Sequence, residues 1–162
     1  PSSAASDVYK RQSVIQEGFF TAEPYFLAKA GAKVRCLPLS DFGYGAAATL
    51  FTTDEWVKNN PKTLSLFLSA YARGWEDYLN HDPSPAHQLM KVDNPKLDDE
   101  FLNWCRKQMI DAKIAADPLK GEKYGVLLRS QVEAELRSLE DTKVIPDGVV
   151  KPSEIATGDW VK

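Results

Sequence analysis

The chain has 162 residues, of which 43% are hydrophobic and 27% are charged, the composition of a globular domain rather than of a disordered segment. Its formal net charge of −3 argues against nucleic acid as a partner, because phosphate binding needs a clustered basic surface. No apolar run reaches the roughly eighteen residues of a membrane-spanning helix, so the sequence predicts none.

The N-terminal segment, PSSAASDVYKRQ, is small and polar and has no apolar period. It does not look like a signal peptide, because no apolar segment follows it. It resembles the translated adapter DNA that precedes unrelated sequence fragments. We therefore predict that residues 1–12 are a non-native or disordered leader and that the fold begins at Ser13.

Three segments in the first third of the chain have β-type patterns, with a helix after the first. Thr21 is predicted to cap this helix, Glu23 and Pro24 suit its first turn, and Gly31 suits its end. A strand, a helix and a strand within about 30 residues are typical of a βαβ unit. The predicted strands are residues 13–16, 33–39 and 46–51.

Only helices are predicted after residue 52. Thr52 and Glu55 fit a capping box that opens a short helix ending at Asn60. The strongest helix follows over residues 62–80, and Gly74 within it predicts the close approach of another element. Its apolar stripe consists of Leu64, Phe67, Leu68, Tyr71, Trp75 and Tyr78.

Further helices are predicted from Ser84 to about Val92, from Asp98 or Asp99 onward, and over residues 122–139. From Glu140 on, repeated proline and glycine residues predict mostly loop. The predicted fold class is therefore α/β, with a partial sheet followed by mostly helices.

No catalytic motif is found in the sequence: GxSxG, HExxH, the P-loop and GxGxxG are all missing. His81 and His87 are interpreted as exposed or capping residues. Cys36 and Cys105 are expected to be buried free thiols rather than a disulfide, and with two distant histidines they do not make a zinc site. We therefore expect no catalytic residue, no metal site and no cofactor.

The segment QEGFFTAEPY is the best candidate for a binding site. It carries two carboxylates among aromatic residues and lies between the end of a predicted strand and a helix, where open α/β sheets bind ligands. Phe42 and Tyr44 add an aromatic pair flanked by glycines. In the alternative interpretation the aromatic residues are core and the glutamates are solvated. The predicted ligand-binding residues are Glu17, Phe19, Phe20, Glu23, Tyr25 and Tyr44.

Two stretches carry a family resemblance, EPYFLAKAGAKV and ATLFTTDEWVKNNPKTLSLFLSAYARGWEDYL. They resemble the substrate-binding proteins of ABC importers, in particular the nitrate, sulfonate and taurine group and its relatives that bind thiamine-pyrimidine precursors. The tail IPDGVVKPSEIATGDWV is similar to the end of such proteins. The resemblance covers residues 13–162.

The resemblance implies a truncated type II periplasmic-binding fold, in which a ligand is clamped between two lobes. Family members are about twice as long as this chain, so their first half is expected to be absent. Residues 13–40 would be the last part of lobe two, residues 41–45 the hinge crossing, and residues 46–162 the returning part of lobe one. The predicted hinge residues are Phe42, Gly43 and Gly45.

The implied function is capture of a small molecule and its delivery to an ABC permease in the inner membrane. The protein would be periplasmic or lipid-anchored, a monomer when full length, and not an enzyme. Glu17 and Glu23 make the candidate site acidic, and the nearest cations lie away from it in sequence. A bare anion favours an arginine or a free helix N-terminus, so we expect a heteroaromatic or amine-bearing ligand.

Two other functions are compatible with these patterns. One is an enzyme of the same fold that makes a thiamine pyrimidine by consuming its own histidine. That branch relies on a cysteine-rich motif and active-site histidines, and this sequence has neither cluster. The other is a stand-alone helical interaction domain that starts at about Thr52 and would melt cooperatively.

Overall fold

The computed structural model describes residues 15–42, 49–117, 119 and 121–156, and these residues are mostly helical. A short 3-10 turn spans Leu39–Phe42. The α-helices of the described residues are α1 (Glu23–Lys29), α2 (Asp54–Asn59), α3 (Pro61–Asn80), α4 (Ser84–Asp93), α5 (Asp99–Asp111), α6 (Arg129–Asp141) and α7 (Pro152–Ile155).

The predicted sheet is wrong for the described residues. Residues 33–38 form no paired strand, and Leu39 already belongs to the 3-10 turn. A strand exists only through hydrogen bonds to a neighbour, and the alternation that favours it here leaves Val34 40% and Leu37 51% exposed. Residues 15–16 and 49–51 are also unpaired, and the rest of those two predicted strands lies outside the described residues.

Capping side chains begin two of the helices close to their predicted positions. The Thr53 hydroxyl accepts a hydrogen bond from the Trp56 backbone N–H at 3.2 Å, so α2 is capped one residue after Thr52. The Asp98 carboxylate accepts the Phe101 backbone N–H at 2.7 Å and caps α5, as predicted. Short polar side chains at these positions satisfy backbone donors that the first helical turn leaves free.

Two predicted helix starts are wrong. The residue that precedes α1 is Ala22, without a side-chain cap, and not Thr21. Helix α6 begins at Arg129 rather than at residue 122, because Gly125 lies in between with φ +74°. A left-handed residue cannot continue a right-handed helix. The end of α1 is as predicted, with Gly31 at φ +80°.

The chain divides into two compact units. The first takes its described residues from Pro1–Leu37 and Asp77–Ile114, and the second takes them from Pro38–Glu76 and Ala115–Lys162. Helix α3 contributes to both, because residues 77–80 belong to the first unit.

Helix α5 organises the first unit through two side-chain contacts. The Cys105 thiol donates a hydrogen bond to the carbonyl of Thr21 at 2.9 Å. The Arg106 guanidinium donates to the carbonyls of Tyr78, Leu79 and His81 at 2.6, 2.9 and 3.0 Å. These carbonyls lie at the C-terminal end of α3, where intrahelical partners run out, so Arg106 closes that helix.

The second unit has a small apolar core. Val132 and Leu136 on α6 are buried with Ala156, which directly follows α7. Three partly buried residues complete the cluster: Leu127, Ile145 and Val150.

Burial in the described residues is shallow. Leu102, at 5% exposure, is the least exposed of the described hydrophobic residues, whereas Phe51 is 96% exposed. The predicted apolar stripe of α3 is only partly buried, since Phe67 is 53% and Tyr71 36% exposed. The close approach predicted at Gly74 is also wrong: a Cβ built there would meet no atom within 4 Å.

No helix in the described ranges is long and apolar enough to cross a membrane.

Candidate functional site

The candidate segment folds into a turn in front of α1. The Phe19 carbonyl accepts the backbone N–H groups of Ala22 and Glu23 at 2.8 and 3.2 Å. The Glu23 carboxylate folds back and accepts the Phe19 backbone N–H at 2.7 Å. Gly18 permits this contact, because a Cβ on it would lie only 3.1 Å from Glu23 Cγ. Glu23 thus orders the turn that carries the aromatic pair.

The other predicted ligand-binding residues of the turn are accessible. Glu17 is exposed, Phe19 is 76% exposed and Phe20 is 40% exposed. The alternative in which these phenylalanines are core residues is therefore wrong within the first unit. What the turn offers is two aromatic rings and one unpaired carboxylate, Glu17, whose side chain bonds to no described residue.

Tyr25 is the exception, because it is buried to 7% exposure. Its ring centroid lies 5.1 Å from that of Phe101, 5.3 Å from that of Trp104 and 5.3 Å from that of Phe26. The Lys29 ammonium lies 4.7 Å from the Tyr25 ring centroid, a cation–π distance. The core interpretation therefore applies to Tyr25, and the structure does not place its ring beside the exposed pair at Phe19 and Phe20.

Most of the predicted hinge lies outside the described residues. Gly43, Tyr44 and Gly45 are not described. Phe42 ends the 3-10 turn and is 65% exposed. Its role in a hinge stays a prediction, as does the role of Tyr44 in binding.

A buried histidine was missed by the sequence analysis. His87 on α4 is only 3% exposed, so its interpretation as an exposed or capping residue is wrong. Its Nε2 lies 3.3 Å from the Tyr78 hydroxyl, and its Nδ1 lies 3.7 Å from the Asp99 carboxylate. The Asp99 carboxylate in turn accepts the Lys91 ammonium at 2.6 Å. Burial lowers the pKa of His87 below its usual 6.5, and the Asp99 charge only partly opposes this.

The burial of His87 was not predicted because the hydrophobic pattern of α4 is misleading. Its large apolar residues do not mark the buried face, since Leu89 is 69% and Val92 77% exposed. Hydrophobic periodicity therefore points away from the face that carries His87.

The two cysteines are both free, but only one of them is buried as predicted. Cys105 is buried, and burial raises the pKa of its thiol. Cys36 is exposed, so its predicted burial is wrong, and residues 33–38 around it form no paired strand. Among the described residues, no group of three or more His, Cys, Asp and Glu side chains could hold a metal ion.

Comparison with known proteins gives the class of this chain. Residues 5–85, half of the chain, match the family described as NMT1/THI5 like. The chain therefore belongs to the NMT1/THI5-like family, which confirms the resemblance to substrate-binding proteins for nitrate, sulfonates, taurine and thiamine precursors. No curated protein and no solved structure matches the chain.

The matched range contains the turn before α1, and helices α1, α2 and α3. It begins at residue 5, inside the segment predicted to be a leader, and the leader stays a prediction. The family includes both solute-binding proteins and THI5-like enzymes. Membership is therefore consistent with a solute-binding role and does not specify the ligand.

Proposed function

We propose that this chain is part of the solute-binding component of an ABC importer, and that it is not an enzyme. The observation that carries the proposal is the family match over residues 5–85, which includes the turn with the exposed Phe19 and Phe20. Exposed aromatic rings beside a carboxylate suit recognition of a small molecule, because they supply a stacking surface and a hydrogen-bond acceptor.

The proposed mechanism is capture by closure of two lobes. Residues 13–40 would belong to lobe two, residues 41–45 to the hinge and residues 46–162 to lobe one. A ligand that touches both lobes binds the closed state more tightly than the open state. It can shift the equilibrium towards closure by no more than this difference in binding free energy. The closed protein would then present the ligand to an inner-membrane permease, from a periplasmic or lipid-anchored position.

The proposed ligand is heteroaromatic or bears an amine. Glu17 is exposed and Glu23 already accepts one backbone N–H, so the turn is rich in acceptors and carries negative charge. Such a turn disfavours a bare anion and favours a ligand that donates N–H groups while its ring stacks on Phe19 or Phe20.

The ligand class can be tested by titration calorimetry on the chain. We expect 4-aminopyrimidine to bind and taurine and nitrate not to bind. Glu17→Gln should weaken binding roughly tenfold, since it replaces a charged acceptor with a neutral one. Glu135→Gln, a substitution at an exposed residue of α6 in the second unit, is the matched control and should change nothing.

Binding of only taurine or nitrate would reject the proposed ligand. The lobe arrangement has its own test, which is to sequence the genomic DNA upstream of Ser13. An open reading frame that continues for the length of a further domain and starts with a secretory signal supports the clamp. A start codon just upstream of Ser13 would rule it out.

A second candidate function is a helical interaction domain, and one observation favours it. Large apolar side chains are exposed within the second unit, including Phe51, Leu66 and Phe67. Exposed apolar surface of this kind is typical of protein contact sites. Binding of a small molecule at the turn before α1 would separate the two functions, because only the solute-binding proposal requires it.

A further inference from the structure

A cavity of about 360 Å³ lies in the first unit, between α1 and the connection from α4 to α5. Its volume falls at the lower end of the range of small-molecule sites, about 300 to 1,000 Å³. The apolar part of its lining consists of three aromatic residues, Tyr25, Phe26 and Phe101, and of Leu97. The polar part includes Lys29, Asn94 and Lys96.

The aromatic wall is preassembled. Phe26 and Phe101 have ring centroids 4.9 Å apart at an interplanar angle of 37°, and Tyr25 lies 5.1 Å from Phe101. Phe26 is nevertheless 43% exposed, so part of its surface is unused by protein contacts. Aromatic pairs prefer centroid distances of about 4.5 to 7 Å, so a further flat ring can join this wall without rearranging it.

The charged side chains around the cavity differ in whether they have a partner among the described residues. The Asp98 carboxylate is engaged at the start of α5, where it accepts the Phe101 backbone N–H at 2.7 Å. Lys29 is paired with the Glu100 carboxylate at 2.9 Å. Lys96 makes no ion pair with any residue that the structure describes, although it lines the cavity. Lys96 is therefore the cation at this cavity without a described ion-pair partner, and it lies on the same lining as the Asp98 carboxylate, which keeps its charge because the Phe101 N–H is a neutral donor.

Asn94 adds hydrogen-bond donors next to this cation. Its side-chain oxygen accepts the Lys96 backbone N–H at 3.2 Å, which leaves the amide NH2 group available. An ammonium and an amide NH2 together suit a carboxylate, because both donate and neither accepts.

A second, independent observation also indicates a ligand. The Tyr25 hydroxyl is buried, and no described residue meets it with regular hydrogen-bond geometry, although its interaction with the Lys29 ammonium helps to raise the pKa of Lys29. A buried hydroxyl without a partner costs about 1–3 kcal/mol, so such groups are rare in folded proteins. Tyr25 lines the cavity but its hydroxyl has almost no accessible surface, so a ligand acceptor would supply the missing bond after a small movement of this side chain.

We propose that this cavity binds a small heteroaromatic carboxylate. Its ring stacks on Phe26 and Phe101, its carboxylate is bound by Lys96 and the Asn94 amide, and its ring acceptor is bound by the Tyr25 hydroxyl. The site differs from the turn at Glu17 and Glu23, because it selects an anion. It does not depend on the proposed solute-binding function.

The test is titration of the chain with nicotinate, benzoate and nicotinamide, followed by calorimetry and by amide shift mapping in NMR spectra. Nicotinate carries both groups, benzoate lacks the ring acceptor, and nicotinamide lacks the charge. We expect nicotinate to bind most tightly and its shifts to map to residues 25–29 and 94–101. Lys96→Gln should weaken nicotinate and benzoate roughly tenfold and leave nicotinamide unchanged.

Two further variants make the result specific. Tyr25→Phe should weaken nicotinate several-fold but not benzoate, and its circular dichroism and melting curve show whether it remains folded. Lys62→Gln removes an exposed lysine of α3 in the second unit and should leave all three affinities unchanged. No nicotinate binding at concentrations on the order of 10 mM, shifts that map elsewhere, or equal affinities in the wild type and Lys96→Gln would overturn the proposal.

Discussion

The two glutamates of the turn before α1 differ in whether they also hold the turn together. Glu23 was predicted to bind ligand, and its carboxylate also caps the turn through the Phe19 backbone N–H. Glu17 has no such contact with a described residue, so it is the better variant for testing ligand binding. A substitution at Glu23 would change the turn as well as its charge.

His87 is the residue whose charge state is most constrained by the fold. The Tyr78 hydroxyl and the Asp99 carboxylate lie 3.3 and 3.7 Å from its ring nitrogens, and the charges of Asp82, Lys91 and Arg106 also act on its pKa. Burial dominates and lowers the pKa of His87, so the folded protein holds the ring neutral under conditions in which the unfolded chain protonates it.

This gives a prediction for stability against pH. Below the usual His pKa of 6.5, the unfolded chain binds the proton more readily than the folded chain does, so the free energy of unfolding falls as the pH drops. At higher pH the His87 ring is neutral in both the folded and the unfolded chain, so it adds no pH dependence to the free energy of unfolding. Urea unfolding between pH 5 and 8 should show this loss in the wild type, and His87→Gln should flatten the curve.

The matched control is His81→Gln, since the chain has only these two histidines and the His81 side chain is 68% exposed. This variant should keep the wild-type pH dependence. An unchanged slope in His87→Gln would mean that another group causes it.

At the scale of elements, two glycines differ in whether the backbone requires a residue without a side chain. The backbone at Gly125 does, and the backbone at Gly74 does not. Gly125 has φ +74°, and a Cβ on it would lie 2.9 Å from Ala72 Cβ on α3. Gly74 lies inside α3, where a Cβ would meet nothing within 4 Å. The first position needs glycine, whereas the second carries the helix cost of glycine without a visible compensation.

We therefore predict opposite effects of the same substitution. Gly125→Ala should lower the free energy of unfolding by about 1–2 kcal/mol, because alanine is strained at positive φ and contacts Ala72. Gly74→Ala should raise it by about 0.5–1 kcal/mol, because alanine favours the helix. Urea unfolding monitored by circular dichroism measures both.

The Gly74→Ala result also tests the open environment of α3 at this position. A destabilising Gly74→Ala substitution would contradict the open environment of α3 and would support the close approach that the sequence predicts. The Gly125→Ala variant serves as the comparison, because its strain comes from contacts and torsions within the second unit.

At the scale of the whole molecule, the feature that matters is how little apolar surface is buried. Each unit has its own small set of buried residues, and none of the described hydrophobic side chains falls below 5% exposure. Large aromatic residues such as Phe19 and Phe51 remain mostly exposed. Hydrophobic burial is the main force that opposes chain entropy, so shallow burial implies weak cooperativity.

We predict that the chain unfolds in urea over a broad transition, with a slope below about 1 kcal/mol/M, and that it binds the dye ANS under native conditions. Circular dichroism and dye fluorescence measure these properties on the same samples. One sharp transition with a slope of about 1–3 kcal/mol/M and no dye binding would contradict this prediction and favour the stand-alone interaction domain.

The helices could be predicted from the sequence because the signals that start, end and pattern a helix are local. The apolar spacing over residues 62–80 predicts α3 almost to the residue, and Asp98 marks the start of α5. Gly31 ends α1 through its own positive φ. Caps, glycines and helical periodicity act within a few residues, so no distant contact is needed to interpret them.

The candidate site was only partly predictable. The turn before α1 was identified from its carboxylates and aromatic residues, but periodicity could not tell that Phe19 is exposed while Tyr25 is buried. The buried His87 was missed for the same reason, since its partners Tyr78 and Asp99 come from other helices.

The sequence by itself determined the family, the long helix and the carboxylates and aromatic residues of the turn before α1, because these depend on residue identity and short spacing. Only the tertiary structure decided whether β-type segments pair, which side chain meets which, and where a cavity forms. Residues 33–38 show why: an alternating pattern favours a strand, but a strand forms only when a neighbouring backbone accepts and donates its hydrogen bonds.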